Sequence, residues 1–250
     1  MTGSRLAYHC LVAAKRTDGR IERGNQTREA IMRLAAQTAS VEGLENLSLG
    51  RLAAELDISK SGVFAVFGSK DELQLATIRA ANSIFVEHVV RPALTTPPGI
   101  RRAWSLCEHW LTYSRTRVFP GGCFFFAVSA EYDARTGTIH DAIADQQKRW
   151  MQFFVQTLEE ARDAGELTAP TDVNRLAFEL IALLEMSNSL SVLHHDDSVY
   201  HTASLSILDR LRTAAVDPTQ LPPDATATSP AGSENPPPAG KARTHRSRVS

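Results

Sequence analysis

The sequence is poor in cysteine, with three in 250 residues, at positions 10, 107 and 123. They are scattered and odd in number, which gives no disulfide frame and fits a reducing compartment such as the cytosol. Neither sign of charge is in surplus. The formal net charge of −1 excludes a general polycation, so any hold on nucleic acid must come from basic groups placed locally. No apolar run approaches membrane-spanning length. Leu6–Ala14 is too short for a signal peptide, is interrupted by Tyr8, His9 and Cys10, and lacks a clear cleavage site. The expectation is a cytoplasmic protein with no membrane partner. Sustained alternation of apolar and polar residues, the signature of a half-buried strand, is also missing. With 43% hydrophobic residues the chain still has the material for a sizeable core, and that core is expected to be all-α.

What is present is most concentrated in one stretch, Ser48 to Leu75, SLGRLAAELDISKSGVFAVFGSKDELQL. Leu49, Leu52, Ala53 and Leu56 form the apolar face of one short helix. Asp57-Ile58-Ser59 breaks it, with Ile58 as the plug of the turn and Ser59 as the cap of the next helix. Val63 and Phe67 anchor that second helix from below. Lys60, Ser61, Gly62, Phe64 and Ala65 are left facing outward at its front, where a helix-turn-helix protein meets base edges in the major groove. Ser48 is the expected N-cap of the first helix, and Ser69 with Glu72 forms a capping box for a third. The pattern points to DNA rather than to catalysis.

Around this stretch the chain divides into four parts. Residues 1–24 show no sustained period and read as a flexible arm, or as residues upstream of the natural start. Arg5, Lys15, Arg16, Arg20 and Arg23 there outnumber Asp18 and Glu22. Residues 25–70 form the helix-turn-helix head, opened by a helix from Thr27 that stops at Gly43, a C′ glycine. Residues 71–216 form a helical body: Ser69–Arg91 ended by Pro92, then Ile100–Thr116, Cys123–Tyr132, Thr138–Ala164, Thr171–Leu193 and Val199–Ala215. Residues 217–250 carry seven of the twelve prolines and read as a disordered tail. Its end, with Lys241, Arg243, Arg246 and Arg248, either adds weak salt-sensitive DNA affinity or is merely solvated.

Ile58-Ser59-Lys60-Ser61-Gly62-Val63-Phe64-Ala65-Val66-Phe67-Gly68-Ser69-Lys70-Asp71-Glu72-Leu73 resembles the signature of the TetR/AcrR family of bacterial transcriptional regulators. The likeness continues upstream through Thr27-Arg28-Glu29-Ala30-Ile31, Gly43 and Ser48-Leu49. Arg91-Pro92-Ala93-Leu94, Phe119 to Phe124 and Ala130-Glu131-Tyr132-Asp133 resemble a subgroup common in actinobacterial sequences. The resemblance implies an all-helical homodimer with a three-helix DNA-binding head and a ligand-binding, dimerising body. It implies that Lys70 contacts phosphate and that Ser48 often touches the DNA backbone too. The chain departs from the pattern at Asp57, where the family usually has glycine, and at Gly50, often a phosphate-contacting arginine. It departs again at Phe64, often tyrosine, and at Val66. The reading surface is thus more apolar than is usual, suited to thymine methyl contacts and DNA shape.

In the body, most aromatic residues fall between Trp104 and Phe154. Two readings stand: packed core, or the walls of an apolar effector cavity. Trp104, Cys107, Trp110 and Leu111 recur on one helix face and, with Phe124, Trp150 and Phe154, are the candidate ligand-binding residues. Cys123 after Gly121-Gly122 is read as a small buried hydrophobe rather than a nucleophile, since no base is placed beside it, His109 and His140 being merely available. His194-His195-Asp196-Asp197 is read as a polar loop, not a metal site. No cofactor is expected. The last two helices, with Leu176, Phe178, Leu180, Leu183, Leu184, Met186, Leu190, Leu205, Leu208 and Leu211, are apolar around more than one face. That surplus suits a two-fold four-helix dimer interface. The whole reads as a ligand-responsive regulator, a repressor that a small apolar effector releases from a palindromic double-stranded DNA operator. The competing reading is a ligand-binding dimeric helical module without operator binding.

Overall fold

The structure, a computed structural model, describes residues 19–223. Ten α-helices follow in order: α1 Gly19–Glu42, α2 Leu49–Glu55, α3 Lys60–Phe67, α4 Lys70–Phe85, α5 Arg91–Ala93, α6 Ile100–Arg115, α7 Phe124–Tyr132, α8 Thr138–Asp163, α9 Val173–His194 and α10 Ser198–Ala214. No strand occurs among the described residues, where a single bridge pairs Leu167 with Ala215.

The boundaries follow capping chemistry. Ser48, Ser59 and Ser69 each adopt extended backbone and accept a hydrogen bond from the N–H three residues on, which starts α2, α3 and α4. Gly43 ends α1 at φ 85°, a left-handed conformation that glycine adopts without strain. Asp57 takes the same region in the helix-turn-helix turn, at φ 52°. Asp tolerates αL at modest cost, so the turn survives the loss of the usual glycine.

Four expectations are corrected. The sequence suggests a flexible arm over 1–24, but α1 begins at Gly19; Arg20, Glu22 and Arg23 are good helix formers, and the extra turn has no apolar period to mark it. Residues 1–18 lie outside the described part. Pro92 does not end the fourth helix. The chain passes from α4 through a π turn, Val86–Val90, into α5, and Pro92 stands inside that last short segment. Widening the turn, with the Arg91 N–H bonded to the Val86 carbonyl, relieves the clash between a proline ring and the preceding turn. The proline content suggests a disordered tail from 217, but Asp217–Leu221 folds back, with Pro218–Gln220 in a 3-10 turn and Leu221 buried. Residues 224–250 lie outside the described part. Lastly, α9 does reach membrane-spanning length and hydropathy. It packs against α6, α8 and α10 in the body, and its inner face buries Ser187, Asn188 and Ser191.

In the head, α2 and α3 pack on each other, and Leu44, Leu47, Leu52, Val63 and Phe67 share the core with Ile31 and Ala35 of α1. In the body, α6 is central, against α8, α9, α10 and the π turn. Asn188 is a polar hub there. Its Oδ1 accepts from the Ser114 hydroxyl at 2.7 Å and the Cys123 N–H at 2.8 Å, tying α9 to α6 and to the start of α7. Head and body meet where α1 packs on α4 and α7.

Candidate functional site

The helix-turn-helix presents Lys60, Ser61, Gly62, Phe64 and Ala65 on the exposed side of α3, while Val63 and Phe67 are buried beneath. Phe64 is 56% exposed, a large apolar ring left uncovered by the described residues. The Ser59 hydroxyl accepts from the Gly62 N–H at 3.1 Å and from the Ser61 hydroxyl at 3.3 Å. This fixes the first turn of α3, the end that enters a groove. Lys60 forms no ion pair among the described residues and extends beside Gly50. Ser48 is exposed, with its hydroxyl turned to the Arg51 N–H at 3.5 Å.

Three other basic groups of the head, Arg28, Arg51 and Lys70, are engaged. Arg51 lies between Glu42 and Glu55, which removes it as a free phosphate contact and pulls the Glu42 carboxyl below its usual range. Arg28, which the sequence offered only as part of the family resemblance and without a role, reaches from α1 to the end of α3. Its guanidinium donates to the Val66 carbonyl at 3.2 Å and stacks 5.0 Å above the Phe67 ring. A cation at a helix C-terminus is favourable, so Arg28 pins the recognition helix. Lys70 donates to the Glu45 carboxylate at 2.9 Å and to the Glu45 carbonyl at 2.6 Å.

Glu45 is the meeting point of head and body. Besides Lys70, it accepts from the Tyr132 hydroxyl of α7 at 2.8 Å and faces Arg135 at 3.4 Å. The Lys70 hydrogen bond first, then that from Tyr132, holds the Glu45 carboxyl below its usual value. The Glu131 carboxylate, also on α7, accepts from the Leu44 and Glu45 N–H groups at 2.7 and 2.9 Å. Buried Gln74 of α4 donates to the Leu44 carbonyl at 2.8 Å. Beside these, a Cβ on Gly121 would lie 1.9 Å from the Ser40 carbonyl oxygen, so only glycine lets the body approach α1 this closely.

The body holds a cavity of ≈ 40 Å³ among α4, the π turn, α6, α7, α8 and α9. Its apolar wall is Phe85, Val86, Val90, Trp110, Phe125 and Trp150. Phe85 sits edge-on to Trp150 at 5.1 Å and to Phe125 at 6.4 Å. Of the seven candidate ligand residues, the structure brings Trp110 and Trp150 together here. Trp104, Cys107, Leu111, Phe124 and Phe154 are packed in the core and do not line it. Cys107 and Leu111 share a face with Trp110 on α6, but that helix is buried nearly all round, so helical spacing alone did not select the cavity side. The sequence did not point to Phe85, Val86 and Val90, on the helix expected at Ser69–Arg91, or to the polar rim of Asn82, Gln146, Gln147, Arg149 and Glu185.

Cys123 lines the cavity, but burial pushes its thiol up to about 11, the opposite of the shift a helix start gives an exposed cysteine. The Tyr113 hydroxyl beside it is buried without a well-formed hydrogen bond. His195 closes α9 in the left-handed region, and the Asp196 carboxylate accepts from the Ser198 N–H at 2.9 Å, so this segment is a helix-ending loop. Phe178, Met186 and Leu193 of α9 are 66%, 56% and 70% exposed, an apolar stripe that the described residues leave uncovered.

No curated protein is a significant match to the sequence. A solved TetR transcriptional regulator from Chloroflexus aurantiacus J-10-FL superposes with a TM-score of 0.70 at 20% identity, over 78% of this chain and 98% of that one. A transcriptional regulator from Saccharomonospora viridis in complex with choline gives 0.63 at 21% identity, over 77% and 99%. AibR in complex with isovaleryl coenzyme A and operator DNA gives 0.54 at 20% identity, over 65% and 86%. These likenesses are of fold. Residues 31–77 match the family model described as "Bacterial regulatory proteins, tetR family", and 99–207 match "Tetracyclin repressor-like, C-terminal domain". Together the two models cover more than half of the sequence, from the helix-turn-helix to the last helix. The chain belongs to the TetR family of bacterial transcriptional regulators, with an N-terminal DNA-binding head and a C-terminal ligand-binding body.

Proposed function

We propose that this regulator is a homodimeric repressor of a palindromic operator, released when a small, largely apolar effector enters the cavity. The exposed front of α3 carries the reading: Lys60, Ser61, Gly62, Phe64 and Ala65 project from a framework whose own apolar positions are buried. Phe64 and Ala65 suit thymine methyl groups, while Lys60, Lys70 and Ser48 suit phosphates, which position the protein without specifying sequence. The exposed stripe on α9 supports pairing of two chains, which places two heads on half-sites roughly 34 Å or slightly more apart. AibR, solved with both an acyl-coenzyme A and operator DNA, supports the pairing of the two activities on this fold.

The proposed coupling runs through α4. Its far end forms the π turn whose Val86 and Val90 line the cavity, and its near end carries Lys70 at the head. At ≈ 40 Å³ the cavity is far below the several hundred Å³ of an occupied drug-sized site. An effector must therefore move its walls, among them a π turn, a helical irregularity that recurs at functional sites. Release then reflects higher effector affinity for the displaced α4 than for the DNA-bound one.

The second reading, a ligand-binding module that does not hold an operator, draws on the engagement of Arg28, Arg51 and Lys70 within the chain and on the bare Phe64 ring. The experiment that separates them is titration of the protein with its own upstream DNA at several salt concentrations. Affinity that falls with salt, and is lost in a Lys60→Ala, Lys70→Ala double variant, supports the repressor. Absence of salt-dependent binding, or unchanged binding by the double variant, refutes it.

A further inference from the structure

The cavity wall contains one charge with no answer. Glu185 of α9 lines the cavity beside the aromatic residues, and its side chain forms no hydrogen bond or ion pair among the described residues. Burial removes much of its water, and nothing local compensates, so its carboxyl is pushed above the usual value. Its influence reaches Cys123 on the same wall, whose thiol it also raises. The positive group on the lining, Arg149, is committed elsewhere: it is half exposed, pairs with Asp145 at 3.7 Å, and donates to Gln146.

The same cavity is lined by the rings of Phe85, Trp110, Phe125 and Trp150, with Phe85 edge-on to Phe125 and Trp150. Aromatic faces carry negative quadrupole charge and attract cations, more strongly where water is excluded. A desolvated carboxylate beside several rings is a poor place for an anion and an indifferent one for a neutral hydrocarbon.

Resting on the reading of this cavity as the effector site, we infer that the effector is an amphipathic cation: an apolar, ring-sized or alkyl body bearing a protonated or quaternary amine, with the amine held by Glu185 and the aromatic wall. A cation there supplies the counter-charge that the described residues do not give Glu185. The apolar body then displaces Phe85 and Val86, the step that moves α4.

Three probes of one shape test this by calorimetry at neutral pH: 1-naphthylmethylammonium, 1-naphthylmethanol and 1-naphthoate. The ammonium is expected to bind about tenfold more tightly than the alcohol, the scale of a desolvated cation–π contact, and the carboxylate most weakly. In Glu185→Gln the ammonium-to-alcohol ratio falls severalfold, to what the aromatic wall alone contributes, and Glu185→Asp, which keeps the charge, restores part of it. The inference is overturned if the alcohol or carboxylate binds as tightly as the ammonium, if no probe binds, or if the ratio survives in Glu185→Gln. DNA binding is measured separately without probes. A protein that holds its operator but prefers no cation refutes this inference alone, whereas one that takes the cation but no DNA refutes the repressor reading and leaves the pocket chemistry standing.

Discussion

Lys70 and Glu45 are joined twice: the ammonium of Lys70 donates both to the Glu45 carboxylate at 2.9 Å and to the Glu45 backbone carbonyl at 2.6 Å. The lysine that the family resemblance assigns to a phosphate is thus held, without DNA, by the residue that also receives Tyr132 and Arg135 from the body. A phosphate has to compete with Glu45 for it.

Glu45→Gln is therefore expected to strengthen operator binding. The pair is exposed, so the gain is that of a surface ion pair, about 0.2–1 kcal/mol, or up to about fivefold in Kd. Fluorescence anisotropy against the operator reads it, and the gain should vanish when Lys70→Ala is added. The same contact has a pH signature. Because the folded-state pKa of Glu45 is lowered, its stabilising contribution is present above the usual carboxylate value and is lost as pH falls through the lower folded value. The joint between head and body should weaken only in that acid range, with hydrogen exchange at Leu44 and Glu45 rising there first.

Phe64→Ala should separate function from folding. The ring is 56% exposed and contributes little to the core, so the melting temperature should stay within the range of an ordinary surface change, about 0.5 kcal/mol. Operator affinity should fall by about 1 kcal/mol or more, the scale of one base contact. A drop in both would mean that Phe64 packs rather than reads.

Gly121→Ala should do the reverse. Its new methyl group meets the Ser40 carbonyl, a backbone atom that cannot swing aside. The cost is that of overpacking, about 1–3 kcal/mol, seen as a melting temperature lower by several degrees. Because the clash lies where α1 rests on the body, operator affinity should change with it, although Gly121 lies far from α3 in sequence.

The thiols give a chemical check. With Cys123 pushed up to about 11 and Cys107 higher still, both wholly buried, alkylation at pH 8 should be slow in the native protein and should appear only on unfolding. Rapid labelling of Cys123 at neutral pH would revive a nucleophilic role for it. An effector bound in the cavity should slow its labelling further.

Met186→Lys, with Phe178→Lys as a second variant, tests the stripe on α9. A charge at the centre of an apolar interface leaves an ion desolvated and unpaired, so light scattering should show the mass fall from dimer to monomer. An unchanged mass in both variants would place the contact between chains elsewhere.

Local chemistry made the head readable. Ser48, Ser59 and Ser69 cap because a hydroxyl reaches an N–H three residues on, and Val63 and Phe67 are buried because they share a helix face. Such rules act within a few residues, so the sequence by itself determined the helix-turn-helix, the outward set from Lys60 to Ala65, and the all-helical body. It did not determine which aromatic residues bound a void, because Trp104 and Trp110 obey the same helical period and only the neighbours of α6 distinguish them. Nor did it determine that Pro92 is absorbed by a π turn, that Arg28 pins α3, or that Glu45 holds Lys70. Those relationships join residues that are far apart in the chain or depend on how neighbouring turns pack, and only tertiary structure brings their charges and surfaces within reach of one another.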